Sequence, residues 1–510
     1  MYTIRLQLDL NPSEERFLSK CFFFGNKIRN SIASVAQRRL NCLFHDHNYL
    51  SARKEYGKSD FGKKKGKELS PSQKKRKKQL SIIMQSKLVE YKLRKTDLES
   101  YISTMQKHYS TYITSHQAQA EVNAVYKGVE KVLYGDGDHL HFRRYNDYDC
   151  IKQKNSTNGV KISDWNHCIF MKKDFNIKPA ADTPYMNEVM NSTFLSTDVI
   201  YTFLKRIEFN SGFKYYIVIT LRGEAPKKVK LSDKRSRTGV DFGTSTIATV
   251  SSSEVNLVEL APLSAKYEKE IRHLQKLVNN SMRVHNPDNY NKNGTIKKGR
   301  HKWKLTHKCK KLKRRIRVLY RKQSAYIAAS HNTFLNHLIT TVSEFIVEPM
   351  NFSGLQKRSK NTERSDKVST VKNKDGTAKK VHKFKRKKRY GHSIKNRSPG
   401  LMQETLKKKA VQYDIPYFEI DRNNYRASQL HHDTGEYIKS SVDERTKMID
   451  GHEVQRDLYS AFLISNTDDS LRQPDFKACN TNFNRFVELH DVKIQDMKVN
   501  GISFKQCFGF

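Results

Sequence analysis

The reading of this chain turns on Thr238-Gly239-Val240-Asp241-Phe242-Gly243. The pattern is that of a short core strand carrying one carboxylate near its end. Further strands are predicted over Thr246–Val250 and Val255–Leu260. A helix is predicted from near Ser264, with a break in the Asn- and Gly-rich stretch 286–299. A long helix follows, with Leu305, Cys309, Leu312, Ile316 and Leu319 spaced four, three, four and three. Its lysines and arginines cover the other face. A strand at Glu344–Glu348 then carries a second acid in Phe345-Ile346-Val347-Glu348. A third lies in Gln455-Arg456-Asp457-Leu458, at the head of a predicted amphipathic helix over Val454–Ser465 with Val454, Leu458, Ala461 and Phe462 on one face.

Each acid alone has an ordinary explanation. Asp241 could close a turn, Glu348 could be solvated at a strand end, and Asp457 could pair on a helix surface. Together they fall on a first strand, a later central strand and a C-terminal helix. The β-β-β-α-β order is how an RNase H-like domain begins, with a helical hairpin inserted, and that fold converges its carboxylates at those three places. A carboxylate beside core structure is costly unless a cation shares it. Mg²⁺ takes oxygen ligands, and a pair of such ions drives in-line phosphodiester cleavage. Asp241, Glu348 and Asp457 are therefore the candidate catalytic and metal-ligating residues.

The remaining composition points the same way. Lys+Arg number 96 against 52 Asp+Glu, a formal charge of +44, which makes salt-dependent phosphate binding nearly unavoidable. The 510 residues suggest two to four domains. No long apolar span, lipidation signal or leader is seen, so no membrane is expected, and the expected location is the bacterial cytoplasm in association with the nucleoid. The 7 cysteines, Cys21, Cys42, Cys150, Cys168, Cys309, Cys479 and Cys507, form no C-x-x-C pair and read as free thiols, mostly buried.

Tyr2, Ile4, Leu6, Leu8 and Leu10 alternate with polar residues as a half-buried strand. Asn11-Pro12-Ser13-Glu14 then reads as a capped helix start. Residues 52–80, with Lys63-Lys64-Lys65 and the basic run Lys74–Lys78, read as a solvated loop or one that orders on nucleic acid. A helix carrying Ala118, Val122, Val125, Val129 and Val132 ends at Gly135. A β-rich stretch over 139–230 contains a hairpin, Tyr201–Phe209 with Phe213–Leu221. Leu140-His141-Phe142-Arg143-Arg144-Tyr145 alternates aromatic and basic residues, suited to stacking on bases, though an edge strand looks the same. Residues 356–392 read as a basic loop, and Ile415–Ile420 as a strand. No internal repeat is found. Arg143, Arg144, Lys310, Arg314, Arg317, Lys385 and Arg386 are the candidate nucleic-acid contacts.

Gly239–Gly243, Ile346–Asn351 and Arg456–Ala461 resemble the first, second and third RuvC motifs of the TnpB transposon nucleases and the compact type V CRISPR effectors. His141–Arg144 is similar to that family's basic segment after its helical lobe. The resemblance implies an α/β multidomain chain. A β-barrel wedge domain would occupy 1–50 and 139–235, and a helical recognition lobe 51–138. The RuvC nuclease would occupy 236–424 and 453–470, with a target-binding insert at 425–452 and a C-terminal tail at 471–510. It implies an RNA-guided DNA endonuclease, with guide RNA and target double-stranded DNA as partners and two Mg²⁺ ions on Asp241, Glu348 and Asp457. The insert lacks the family's cysteine pairs and keeps only His431, His432 and His452, so zinc is not expected there and a metal-free loop is. Two alternatives stay open: a nuclease-inactive RNA-guided DNA-binding repressor, and an RNase H-like DNA transposase.

Overall fold

Alternation at the N-terminus becomes strand β1 (Tyr2–Asp9), with Ile4, Leu6 and Leu8 buried. The computed structural model describes residues 1–57, 70–135, 137–154, 159–357, 363–372, 378–385, 391–422, 424–439 and 444–502. Lys63–Lys65, Arg386 and Cys507 lie outside the described residues. These form two compact units, Met1–Pro226 with Ser365–Lys383, and Lys227–Arg364 with Phe384–Phe510.

In the first unit, Asn11 Oδ1 accepts the N–H groups of Ser13 and Glu14 while the Glu14 carboxylate accepts that of Asn11 at 2.9 Å. This reciprocal cap starts helix α1 (Pro12–Leu43), which is followed by α2 (His47–Tyr56), α3 (Pro71–Glu90), α4 (Lys95–His108) and α5 (Ser115–Leu133). The basic run Lys74–Lys78 lies within α3, not in the expected loop. Ser70 and Gln73 cap that helix, and buried Leu80 and Leu88 hold it to its neighbours. Ile28, Ile32 and Leu40 of α1 meet Val122, Val125, Val129 and Val132 of α5 in one core. Gly135, at φ +86°, supplies the left-handed residue after α5.

Seven strands make the other half of this unit. After β1 come β2 (Cys150–Ile151), β3 (Lys161–Ile162), β4 (His167–Phe170), β5 (Lys173–Ile177), β6 (Val199–Glu208) and β7 (Phe213–Leu221), with short helices α6 (Pro184–Ser192) and α7 (Leu195–Asp198) before β6. Their order is β2-β6-β7-β1-β5-β4-β3, with antiparallel pairing throughout. β6 and β7 are the hairpin expected from the sequence. The expected barrel is an open sheet among the described residues. β1 pairs with β7 over Tyr2–Gln7 and with β5 over Leu8–Asp9, and the two-residue end strands β2 and β3 offer too little ladder to close the ring.

Arg206 is the keystone of this sheet's core. It is 1% exposed, and its guanidinium lies 4.0 Å from the ring centre of Tyr145, 4.2 Å from Phe213 and 4.6 Å from Phe22. It also donates to the carbonyls of Tyr145 and Tyr148. Aromatic faces thus supply the negative potential that solvent would otherwise provide.

The second unit is built on β8 (Ser236–Phe242), β9 (Thr246–Val250), β10 (Val255–Glu259), α8 (Ser264–His285), α9 (His307–Leu338) and β11 (Val342–Val347). Helix α10 (Phe352–Leu355) follows. Strands β12 (Arg364–Lys372) and β13 (Ala378–Phe384), which belong to the first unit but for Arg364 and Phe384, pair as a ribbon within the stretch expected to be a loop. Then come α11 (Gly391–Arg397), α12 (Pro399–Gln412), β14 (Tyr417–Glu419), the hairpin β15 (Thr446–Ile449) and β16 (His452–Gln455), α13 (Arg456–Ser465) and α14 (Phe476–Val499).

The central sheet has the order β10-β9-β8-β11-β14. The first three strands are antiparallel, while β11 runs parallel to both β8 and β14. One face packs Ala248, Val250, Leu257 and Ile346 against α13 and α14. The other packs Val240, Phe242, Phe345 and Val347 against Leu335 and Leu338 of α9 and Met402 and Leu406 of α12. Helix α13 is not amphipathic as expected. Every residue from Leu458 to Ile464 is buried, because α14 covers the side that a solvent-facing helix would expose.

Removing the keystone should show its weight. Arg206→Ala is expected to cost about 3 kcal/mol, from lost cation–π contact, lost hydrogen bonds and a cavity. Denaturant melts of the purified protein measure it, and a loss below about 1 kcal/mol would contradict this role.

Candidate metal centre

Parallel register places two of the three acids side by side. Val347 of β11 stands opposite Val240 of β8, and the Glu348 N–H donates to the Val240 carbonyl at 3.2 Å. Asp241 and Glu348 are therefore the next residues along adjacent strands, at their C-terminal ends. The third acid arrives from the packed helix. A Cβ on Gly239 would overlap the Ala461 carbonyl oxygen and the Ser465 backbone, so only glycine lets α13 lie this close to β8. Asp457 occupies the first turn of α13, where the helix N-terminus favours negative charge.

Burial holds the Asp241 carboxyl well above the usual carboxylate range, and the charges of Glu348 and then Asp457 push it further. Ser460 and Arg456 act in the opposite direction. Ser460 Oγ is buried with no hydrogen bond among the described residues, so its pull on Asp241 is weak. Glu348 is also raised, by burial, against the pull of Arg422, whose Nε lies 3.8 Å from its Oε1. Asp457 is held by arginine. Its Oδ1 accepts from Arg456 Nη2 at 3.1 Å and Nε at 3.2 Å, and Arg445 Nη1 lies 3.9 Å from Oδ2.

The three acids are thus electrostatic neighbours. Among the described residues, however, no three His, Cys, Asp or Glu side chains are drawn into the spacing of a metal shell. The donor chemistry fits a hard cation, since carboxylate oxygens surround an ionisation that nearby negative charge opposes. Arg456 competes with such a cation for Asp457 Oδ1. Arg422, Arg445 and Arg456 were not singled out from sequence. Arg456, adjoining Asp457, carried the one local signal; the other two reach the acids only through the fold.

The predicted nucleic-acid residues fall on separate elements. Arg143 and Arg144 are exposed, beside Phe142 at 55% exposure. Their segment is not an edge strand. Asn30 binds both the N–H and the carbonyl of Arg143, at 3.0 and 2.8 Å, and Asn26 binds the same carbonyl at 3.0 Å, so α1 fixes its direction. On α9, Lys310 is exposed while Arg314 and Arg317 are half-buried. Lys385 is exposed and pairs with Glu363 at 3.0 Å.

Among the described residues of the insert, 425–439 form turns anchored by one bridge, Leu430 to Tyr437, and the β15–β16 hairpin closes it. Tyr425, Ala427, Leu430 and Ile449 join the cluster around α13 and α14. His432 Nδ1 lies 2.8 Å from the Tyr459 hydroxyl, and its ring centre is 4.8 Å from that of Phe483. Cys21, Cys168, Cys309 and Cys479 are buried free thiols, Cys150 is half-buried and Cys42 is exposed. A cavity of about 440 Å³ near the N-terminal end of β8, lined by Arg237, Asp468, Asp475 and Arg485, does not include the three acids. No helix among the described residues is long and apolar enough to cross a membrane.

No family model and no curated protein matches the chain. Among solved structures, it aligns with the protein of a Cas12f1–sgRNA–target DNA complex over 91% of its length and 98% of that chain, at 13% identity and a TM-score of 0.40. It aligns with the protein of a CRISPR–Cas12f ternary complex over 91% and 99%, at 12% identity and a TM-score of 0.23.

Two outcomes follow from the geometry. Gly239→Ala should displace α13 and cost about 2–3 kcal/mol, because the overlapping atoms are backbone and cannot rotate aside; an unchanged melting curve would contradict the contact. Ionising Asp241 costs stability in the fold, because its folded pKa lies above its unfolded value. Without divalent metal, Asp241→Asn should therefore be more stable than wild type near neutral pH. Its advantage should shrink as pH falls towards the ordinary carboxylate range, as thermal melts across pH would show.

Proposed function

We propose that this chain is an RNA-guided DNA endonuclease of the TnpB-like and compact type V kind. Its nuclease domain would be RNase H-like (RuvC), with Asp241, Glu348 and Asp457 holding two Mg²⁺ ions. The observation that carries the reading is the convergence of Asp241 and Glu348, on adjacent parallel strands, with Asp457 on the closely packed helix; burial and the two neighbouring carboxylates together disfavour ionisation of Asp241. Three acids gathered where β8, β11 and α13 converge, with arginines only at their edge, stand out in a chain of net charge +44. The order of three antiparallel strands followed by two parallel ones, with helices on both faces, supports the RNase H-like assignment.

The sheet fixes Asp241 and Glu348, while Asp457 turns from Arg456 towards them. When bound, the ions supply an activated water and charge for the leaving oxygen of an in-line displacement. Arg422 and Arg445, beside the acids, neutralise flanking phosphates. The pinned Phe142-Arg143-Arg144 segment stacks on a base and grips backbone, and Lys310, Arg314, Arg317 and Lys385 add sequence-independent attraction. Guide pairing then selects the target, with a short flanking DNA motif read by the protein.

The Arg456 contact favours a second reading, an RNA-guided binding protein that does not cut, because it engages Asp457 Oδ1, an oxygen that a cation would compete for. One experiment separates the two. The protein is purified with its bound RNA, the RNA is sequenced, and matching supercoiled plasmid is added with Mg²⁺. Cleavage by wild type, lost to background in Asp241→Ala with RNA binding retained, is the expected result. Mg²⁺ should also raise the melting temperature of wild type and not that of Asp241→Ala. Tight binding without cutting would establish the second reading. A mixture of unrelated RNAs would overturn guidance altogether.

A further inference from the structure

Residues 471–510 carry no recognised motif, yet their helix α14 packs on the core around α13. Cys479, Phe483, Phe486, Val487, His490 and Met497 are its buried residues. Five of these are apolar and pack against α13 and the central sheet. His490 is different, because its ring makes a directed polar contact at 3% exposure.

His490 Nε2 accepts the backbone N–H of Gln455 at 2.9 Å. Its other nitrogen, Nδ1, lies 2.8 Å from Asp491 Oδ1, a carboxylate that faces solvent. An acceptor at Nε2 requires the proton on Nδ1, so Asp491 fixes the tautomer that His490 needs. Burial also lowers the His490 pKa, against the pull of Asp491, which favours the neutral ring.

Gln455 is where β16 becomes α13. It is the helix N-cap, 1% exposed, and its Oε1 accepts the Leu458 N–H at 2.7 Å. Asp457 lies between the two ends of that cap. Asp241 and Glu348 are set by strand register, whereas Asp457 depends on where the first turn of α13 sits. The contact running Asp491–His490–Gln455–Leu458 brackets the acid whose placement the sheet does not fix.

We propose that His490 is a positioning residue for Asp457, orienting the first turn of α13 through the backbone of Gln455. Its role in cleavage rests on the nuclease reading, but its effect on the helix start does not. His490→Phe keeps a ring in the core and removes the acceptor. His490→Gln returns an acceptor near the Nε2 position. Asp491→Asn leaves the core intact and weakens the tautomer control from the surface.

The test is hydrogen–deuterium exchange of the full chain, metal-free, in peptides covering 453–460, with thermal melts alongside. His490→Phe should speed exchange at Gln455–Leu458 by about 10-fold or more, with β8 and β9 unchanged, and His490→Gln should restore protection. Asp491→Asn should give a smaller acceleration at the same amides. In plasmid cleavage, His490→Phe should lower kcat with DNA affinity unchanged, and His490→Gln should recover it. Unaltered exchange at Gln455–Leu458 in His490→Phe would overturn the proposal. So would acceleration spread evenly over the unit, or the absence of rescue by glutamine. If His490→Phe does not fold, unchanged exchange in both Asp491→Asn and a folded His490→Gln marks the residue as core packing and overturns the proposal. If wild type does not cut, the nuclease reading fails while the exchange result still decides the placement of α13.

Discussion

The bare Cα of Gly239 sets how closely α13 can approach β8. Any side chain there would meet the Ala461 carbonyl and the Ser465 backbone, so the closeness of helix and sheet is written in one missing methyl group. Asp457 and Ser460 are brought within electrostatic reach of Asp241 by that approach. It also leaves the far side of α13 to be covered, and α14 covers it with Phe483 and Phe486 against Phe462. Helix, sheet and C-terminal helix form one cluster because the first contact is short.

The electrostatic consequence is a local reversal of the chain's charge. Around Asp241 the dominant neighbours are burial and two further carboxylates, and arginines stand at the edge, with Arg422 by Glu348 and Arg456 and Arg445 by Asp457. A buried acid cluster of this kind costs stability, and that cost is what supports the proposed site. Arg206 shows the opposite arrangement in the other unit. There a buried cation is held by three aromatic faces and two carbonyls.

Local patterns were the legible part of the sequence. Alternation gave β1, β6 and β7, the Asn11–Glu14 cap gave the start of α1, and the apolar runs around Asp241 and Glu348 gave β8 and β11. Non-local partners were not legible. The solvent-facing side assigned to α13 assumed that nothing covered it, and the covering residues lie some twenty to thirty positions further on in α14. Val454 belongs to β16 because Lys447 stands opposite it, a pairing that periodicity over one segment cannot reveal. The expected barrel fails for a similar reason, since closure depends on how much ladder β2 and β3 offer. The ribbon β12–β13 was hidden by its lysines, which suit an exposed strand as well as a loop. At the candidate metal centre the fold brings the three acids named from sequence into electrostatic reach of one another, and of their arginine partners only the adjoining Arg456 had a local signal, while Arg422 and Arg445 arrive through the fold.

The central claim is that the ends of β8 and β11 and the first turn of α13 form one divalent-metal site. Crystals of the protein soaked in Mn²⁺, with anomalous scattering recorded at the manganese edge, test it most directly. The account predicts manganese peaks ligated by Asp241, Glu348 and Asp457, with Asp457 turned away from Arg456. Peaks that avoid Asp241, or an Asp457 still paired with Arg456 at saturating metal, would contradict it.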